Sequence, residues 1–237
     1  MSVQSSDEGI RLAKRVAEAA ACSRADAERY IAGGWVSVDG EVVDEPATRV
    51  TPSQRVELLP GASADEPAPV TILLHKPAGL HGKAALDSLR LETLFPAWEG
   101  ERALKRHLTR LTPAMPLEAM ASGLVVFSQD WRIVRKLGQD SERIEQEYVA
   151  EVTGAMLDDG LARLNKGGKP NAPIKASWQS EGRLRFAGKG IVPGQVEALC
   201  ASVGLQVKAL RRLRIGRVSL SSLPLGQWRY LRDAEKF

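Results

Sequence analysis

The chain has 237 residues, 43% of them hydrophobic and 26% charged, with a net charge of +4. That length and apolar share support a packed core and exclude a disordered chain, while so small a net charge singles out no partner. No apolar run approaches the roughly 18 residues of a membrane span, and the first nine residues are polar, so the expectation is a cytoplasmic protein with no membrane partner.

Residues 10 to 58 carry the densest local signals. Ile10, Ala13, Val16, Ala17 and Ala20 recur at helical spacing and predict one apolar stripe. Ser23 is placed to cap a second helix, with Asp26 three residues on as an acidic variant of the capping box. That helix turns Ala27, Tyr30 and Ile31 inward and stops at Gly33-Gly34. Trp35 to Val38, an Asp39-Gly40 turn, and Glu41 to Val43 then predict a hairpin.

Residues 59 to 69 are rich in Pro, Ala and acid, lack periodicity, and read as a linker. Val70 to Leu74 is a short buried-strand candidate running into a turn at His75-Lys76-Pro77-Ala78-Gly79. Leu124 to Phe127 is an apolar run, and Glu147 to Thr153 alternates as a strand. Asp158-Asp159 and Gly167-Gly168-Lys169-Pro170 read as turns; the latter lacks the spacing of a phosphate loop. A helix is predicted from Gly194 to Val203, followed by basic, strand-like residues from Leu205 to Leu220. The fold class expected is α+β, with strands outnumbering helices in a mixed, mainly antiparallel sheet.

Charge is unevenly spread. Residues 1 to 58 hold seven basic and ten acidic side chains, whereas residues 204 to 237 hold eight basic and two acidic. A polyanion should feel the C-terminal segment most, through Lys208, Arg211, Arg212, Arg214 and Arg217. Cys22 and Cys200 make no disulfide framework, and with His75, His81 and His107 they show neither ligand spacing nor a triad, so no structural zinc site is expected; without a P-loop or Rossmann phosphate loop, no nucleotide cofactor is implied.

The first segment resembles the S-four-type (alpha-L) RNA-binding domain through Arg11-Leu12, Ser23-Arg24, Ala27-Glu28, Ile31, Gly34, Val36, Val38, Asp39-Gly40 and Val50. Lys76-Pro77-x-Gly79, Ser122-Gly123-Leu124, Glu147-Tyr148, and Leu210-x-Arg212-x-Arg214-Ile215-x-x-Val218-x-Leu220 follow in order. With Leu223 to Arg229 added, the whole is similar to the RsuA/RluF family of ribosomal RNA pseudouridine synthases. The resemblance implies an RNA-binding domain over 9–58, a linker over 59–69 and a catalytic domain over 70–237. It implies action on structured, ribosomal RNA, without cofactor or metal; a monomer is expected because no exposed heptad or isologous apolar stripe stands out. Such enzymes break the bond from ribose to a uracil ring nitrogen, turn the base and rejoin it through a ring carbon.

Carried across residue by residue, the catalytic Asp of the family's Gly-Arg-Leu-Asp motif falls at Glu118, with Pro116 in place of the preceding Arg. The base-stacking Tyr is Tyr148. In the helix motif Gln195 is kept, but the arginines become Gly194, Glu197 and Ala198, so an acid stands where the carboxylate's basic partner is expected. Arg106, Arg110 or a C-terminal arginine would have to supply that charge. Two outcomes remain open: catalysis through Glu118 and Tyr148, or an RNA-binding protein without chemistry. The expected RNA-contacting residues are Arg11, Ser23, Arg24, Lys76, Gln195, Lys208, Arg212 and Arg214.

Overall fold

The computed structural model describes residues 9–100, 102–167 and 173–237, in two compact units. Gly168, Lys169 and Pro170 of the anticipated connection lie outside the described residues.

The first unit comprises residues up to Ala68 together with 102–109. β1 (Ile10–Arg11) pairs with β4 (Arg49–Val50), and Ile10 lies opposite Val50. Ile10 is therefore a strand residue and not the first turn of the helix, because α1 begins at Leu12 (Leu12–Ala19). Leu12, Ala13 and Val16 on α1 bury against Ala27 and Ile31 of α2 (Arg24–Ala32). The Ser23 hydroxyl accepts the Asp26 amide at 3.1 Å, so the cap forms as the spacing predicts. β2 (Val36–Val38) pairs with β3 (Glu41–Val42) and with β5 (Val56–Leu58). Asp39 and Gly40 both have positive φ, at 53° and 88°, which gives the turn the twist a two-residue hairpin needs.

Residues 102–109, which the sequence assigned to the second domain, belong to this first unit. The Lys105 amide bonds the Asp44 carboxylate, and its ammonium lies 3.1 Å from Glu45. His107, in the same segment, is buried.

The second unit is built on a nine-stranded sheet. Its strands are β6 (Thr71–Lys76), β7 (Thr112–Ala114), β8 (Ser122–Ser128), β9 (Glu145–Thr153), β10 (Ile174–Ser180), β11 (Arg183–Lys189), β12 (Gln206–Ile215), β13 (Val218–Ser219) and β14 (Trp228–Tyr230). The main path is β10-β11-β9-β12-β8-β6-β14, and only β8 with β12 pairs parallel among these strands. Among the described residues four α-helices accompany the sheet: α3 (Gly82–Asp87), α4 (Trp131–Gln139), α5 (Gly160–Lys166) and α6 (Gln195–Ser202). The mixed, mainly antiparallel sheet is the one the sequence predicts.

β8 organises the site. One edge pairs with β6 along its length; the other is shared by β7 at Val126 to Ser128 and by β12 at Ser122 and Gly123. The loop from Met115 to Ala121 connects β7 back to β8 and carries Glu118. Gly123 has φ +114°, and a Cβ there would lie 2.3 Å from the Arg212 carbonyl oxygen. Only glycine permits that approach, which is the physical content of the Ser122-Gly123-Leu124 motif. Leu73, Leu124, Val126, Leu137 and Ile215 pack beneath as one core, each fully enclosed Leu contributing roughly 2 kcal/mol.

Candidate functional site

Glu118 is half-buried in its loop, and its Oε1 accepts the backbone N–H of Gly194 at 2.7 Å. Gly194 is the N-cap of α6, so the carboxylate faces the positive end of that helix. Among the described residues, the donor to this carboxylate is a backbone amide and not a side-chain cation. Glu118 Oε2 is enclosed and has no hydrogen-bond partner among the described residues, and the same holds for Glu197 Oε2 one turn into α6. Burial pushes the Glu197 carboxyl above its ordinary range, and the charge of Glu118 adds to the effect.

Tyr148 lies on β9 opposite Arg212 of β12. Its hydroxyl donates to Gln146 Oε1 at 2.8 Å, and Gln146 Nε2 donates to the Ile191 carbonyl at 2.9 Å. The period of two along a strand puts Gln146 and Tyr148 on one face. Burial raises the Tyr148 hydroxyl's pKa; Arg212 opposes this, and the charges of Glu118 and Glu197 reinforce it. Glu118, Glu197, Tyr148 and Arg212 therefore share one electrostatic neighbourhood. Tyr148 is only 3% exposed.

Two residues expected at an RNA surface sit elsewhere. Arg212 is completely enclosed: Nε donates to the Leu124 carbonyl, Nη1 to that of Pro116 and Nη2 to that of Met115. Nη1 also lies 3.3 Å from Gln146 Oε1 and 3.5 Å from the Tyr148 hydroxyl. Lys76 is 2% exposed, its ammonium 2.6 to 3.1 Å from the carbonyls of Pro77, Leu80, Ala119 and Ala121. Burial, with the nearby Arg212 charge, lowers Lys76 to about 8, while Glu118 pulls the other way. Both cations hold the Glu118 loop through its backbone and are enclosed, away from any surface phosphate.

The remaining candidates divide. Arg214 is half-buried and pairs with Glu145 at 2.5 Å and Glu147 at 3.1 Å. Gln195 Oε1 accepts the Val192 amide and closes the turn ahead of α6. Ser23 serves as a cap, and Arg24 pairs with Glu28 at 3.1 Å on an exposed helix face. Arg11 and Lys208 are exposed. His75 is buried with Nδ1 2.8 Å from the Leu223 carbonyl oxygen, and His81 is exposed.

Sequence reasoning missed Gln146 and Gly194. Gln146 had a signal, since it is the polar residue two places before Tyr148 on the alternating strand. Gly194 was marked only as a lost arginine of the helix motif, and its amide contact to Glu118, 76 positions away, had no local signal.

Residues 10–56 match the model of the S4 domain, and residues 70–208 match that of RNA pseudouridylate synthase. An uncharacterized RNA pseudouridine synthase of Mycobacterium tuberculosis is 32% identical over 247 residues, covering 96% of this chain and 91% of that protein. The dual-specificity RNA pseudouridine synthase RluF of Escherichia coli K12 is 27% identical over 240 residues, covering 97% of this chain and 78% of its own. A pseudouridylate synthase crystal structure shares the fold with a TM-score of 0.56 at 20% identity, covering 95% of this chain and 97% of its own.

Proposed function

Because the chain belongs to the RNA pseudouridylate synthase family, we propose that it isomerises uridine to pseudouridine in structured, ribosomal RNA, with Glu118 as the reacting carboxylate. The bond from ribose C1′ to uracil N1 breaks, the base turns, and C1′ joins C5. The C5 proton leaves and N1 gains one, so the composition of the nucleoside is unchanged. Glu118 acts at the sugar, and Tyr148 is the ring against which the uracil lies. The supporting observation is the hydrogen bond from Gly194 to Glu118, which steadies a negative oxygen beside the Tyr148–Gln146–Arg212 network. With Tyr148 3% exposed, a flipped nucleotide has to displace residues packed over the ring on entry. A backbone amide at a helix start stabilises the carboxylate through the helix dipole.

The N-terminal S4 domain supports docking of a stem-loop by shape, with Arg11 and Arg24 on its exposed surface. A cytoplasmic monomer is the accompanying reading; Cys22 and Cys200 are both free thiols, as a reducing compartment favours.

A second reading is favoured by Glu197. An acid in place of the basic partner, with buried unpartnered oxygens on both carboxylates, suits an RNA-binding protein that has given up the reaction. Nucleoside analysis of ribosomal RNA from cells with and without the gene separates the two. A pseudouridine lost with the gene and restored by the wild type but not by Glu118→Ala establishes the enzyme. Unchanged modification alongside retained RNA binding establishes the other.

A further inference from the structure

A groove of about 970 Å³ lies on the second unit between α4, the start of β9 and the β12–β13 turn. It shares no lining residue with the Glu118 site. Trp131, the first residue of α4, lines it and is 67% exposed, an unusual cost for the largest apolar side chain unless a flat partner covers it. Arg135, Lys136, Arg143, Lys189 and Arg217 line the same groove and are exposed. None of these five makes an ion pair among the described residues, although the neighbouring Arg132 is held by Asp130 at 2.8 Å and Arg214 by Glu145 and Glu147. Two acids also line it, Asp140 and Glu145, and Glu145 is neutralised by Arg214. An aromatic plane among unpaired cations fits a polyanion that carries its own flat rings.

We propose that this groove is a second RNA-contact surface, on which an unpaired stretch of RNA lays its phosphates along Arg135, Lys136 and Arg217 and stacks a base on Trp131. The proposal rests on the reading of the chain as an RNA-binding protein, and it adds the class of RNA: an unpaired strand, held apart from the Glu118 site. By the alternation of β9, Glu145 in the groove and Tyr148 at the site lie on opposite faces of the sheet.

The test uses the full chain and two fluorescent RNAs that lack uridine: a compact stem-loop, and the same stem-loop with a ten-nucleotide single-stranded extension. Wild type is expected to bind the extended RNA more tightly than the compact one. Trp131→Ala should remove about tenfold of affinity for the extended RNA and leave the compact RNA unchanged. Lys136→Gln with Arg217→Gln should lower the salt slope for the extended RNA by about 1.4. Circular dichroism of both variants checks that these exposed positions leave the fold intact. Equal affinities and slopes for wild type and variants would overturn the proposal. So would stronger competition by an acidic polypeptide than by single-stranded RNA, since the groove would then belong to a protein partner. Because neither RNA can be isomerised, loss of the enzyme reading and loss of this one are seen separately.

Discussion

Lys76 and Arg212 together reach seven backbone carbonyls, four of them in the loop from Met115 to Ala121 that presents Glu118. Each enclosed cation is neutralised by oriented peptide dipoles and not by a carboxylate. Replacing Arg212 with Met should destabilise the second unit by about 3 kcal/mol or more, since three carbonyls lose their donor in a closed space. Urea unfolding followed by tryptophan fluorescence measures this. Were Arg212 an RNA contact, stability would hold and only affinity would fall.

The two carboxylates at the start of α6 make opposite demands. Glu118→Ala is expected to lower pseudouridine formation at least about 100-fold while RNA affinity stays within about twofold. Glu197→Arg places a cation beside Glu118 and is expected to raise the rate about tenfold. Both are read by nucleoside analysis of RNA treated with purified protein. A wild-type rate no higher than that of Glu118→Ala would leave the RNA-binding reading standing.

Glu197 also sets a pH dependence. Its folded carboxyl titrates above the ordinary 4.5, so the native chain holds a proton that the unfolded chain has released. Stability of the second unit should therefore decline as pH rises from about 4.5 through the elevated value. Glu197→Gln removes that decline, so the variant is more stable than wild type near pH 7 and no more stable near pH 4. Urea midpoints across that range provide the check.

His107 predicts the reverse slope in the first unit. Burial, with the Arg106 charge beside it, lowers the imidazole to about 4, so it stays neutral where the unfolded chain protonates. As pH falls from about 6.5 to about 4 that unit should lose on the order of 2 kcal/mol, and His107→Gln should flatten the loss. The measurement is thermal unfolding followed in acidic and neutral buffer.

Gly123→Ala tests the close approach of β8 and β12. A methyl 2.3 Å from the Arg212 carbonyl, at a φ of +114°, forces the strands apart and should destabilise the second unit by more than about 3 kcal/mol. A fall in soluble yield and in Tm relative to Gly123 reports it. An unchanged Tm would mean the strand pair is slack enough to absorb a side chain.

The chain's own pattern determined the helix pair and hairpin of the first unit, because their signals are local. The Ser23 cap spans three residues, the Asp39-Gly40 turn two, and the stripe on α1 a pair of turns. Local pattern likewise placed the strands around Val125, Tyr148 and Leu210, since alternation and apolar runs need no knowledge of partners. It left α4 unmarked, and it put Ile10 on a helix because periodicity cannot see the pairing with Val50 forty residues on. Tertiary structure alone decided the partners of the site residues. Lys76, Arg212 and Gln195 carry the composition of an RNA surface, yet burial turns the first two toward carbonyls up to 97 positions distant and gives the third to a local turn. Charge type is written in the residue; whether that charge meets solvent, phosphate or the enclosed peptide backbone is set by which strands lie side by side, and that only the folded sheet specifies.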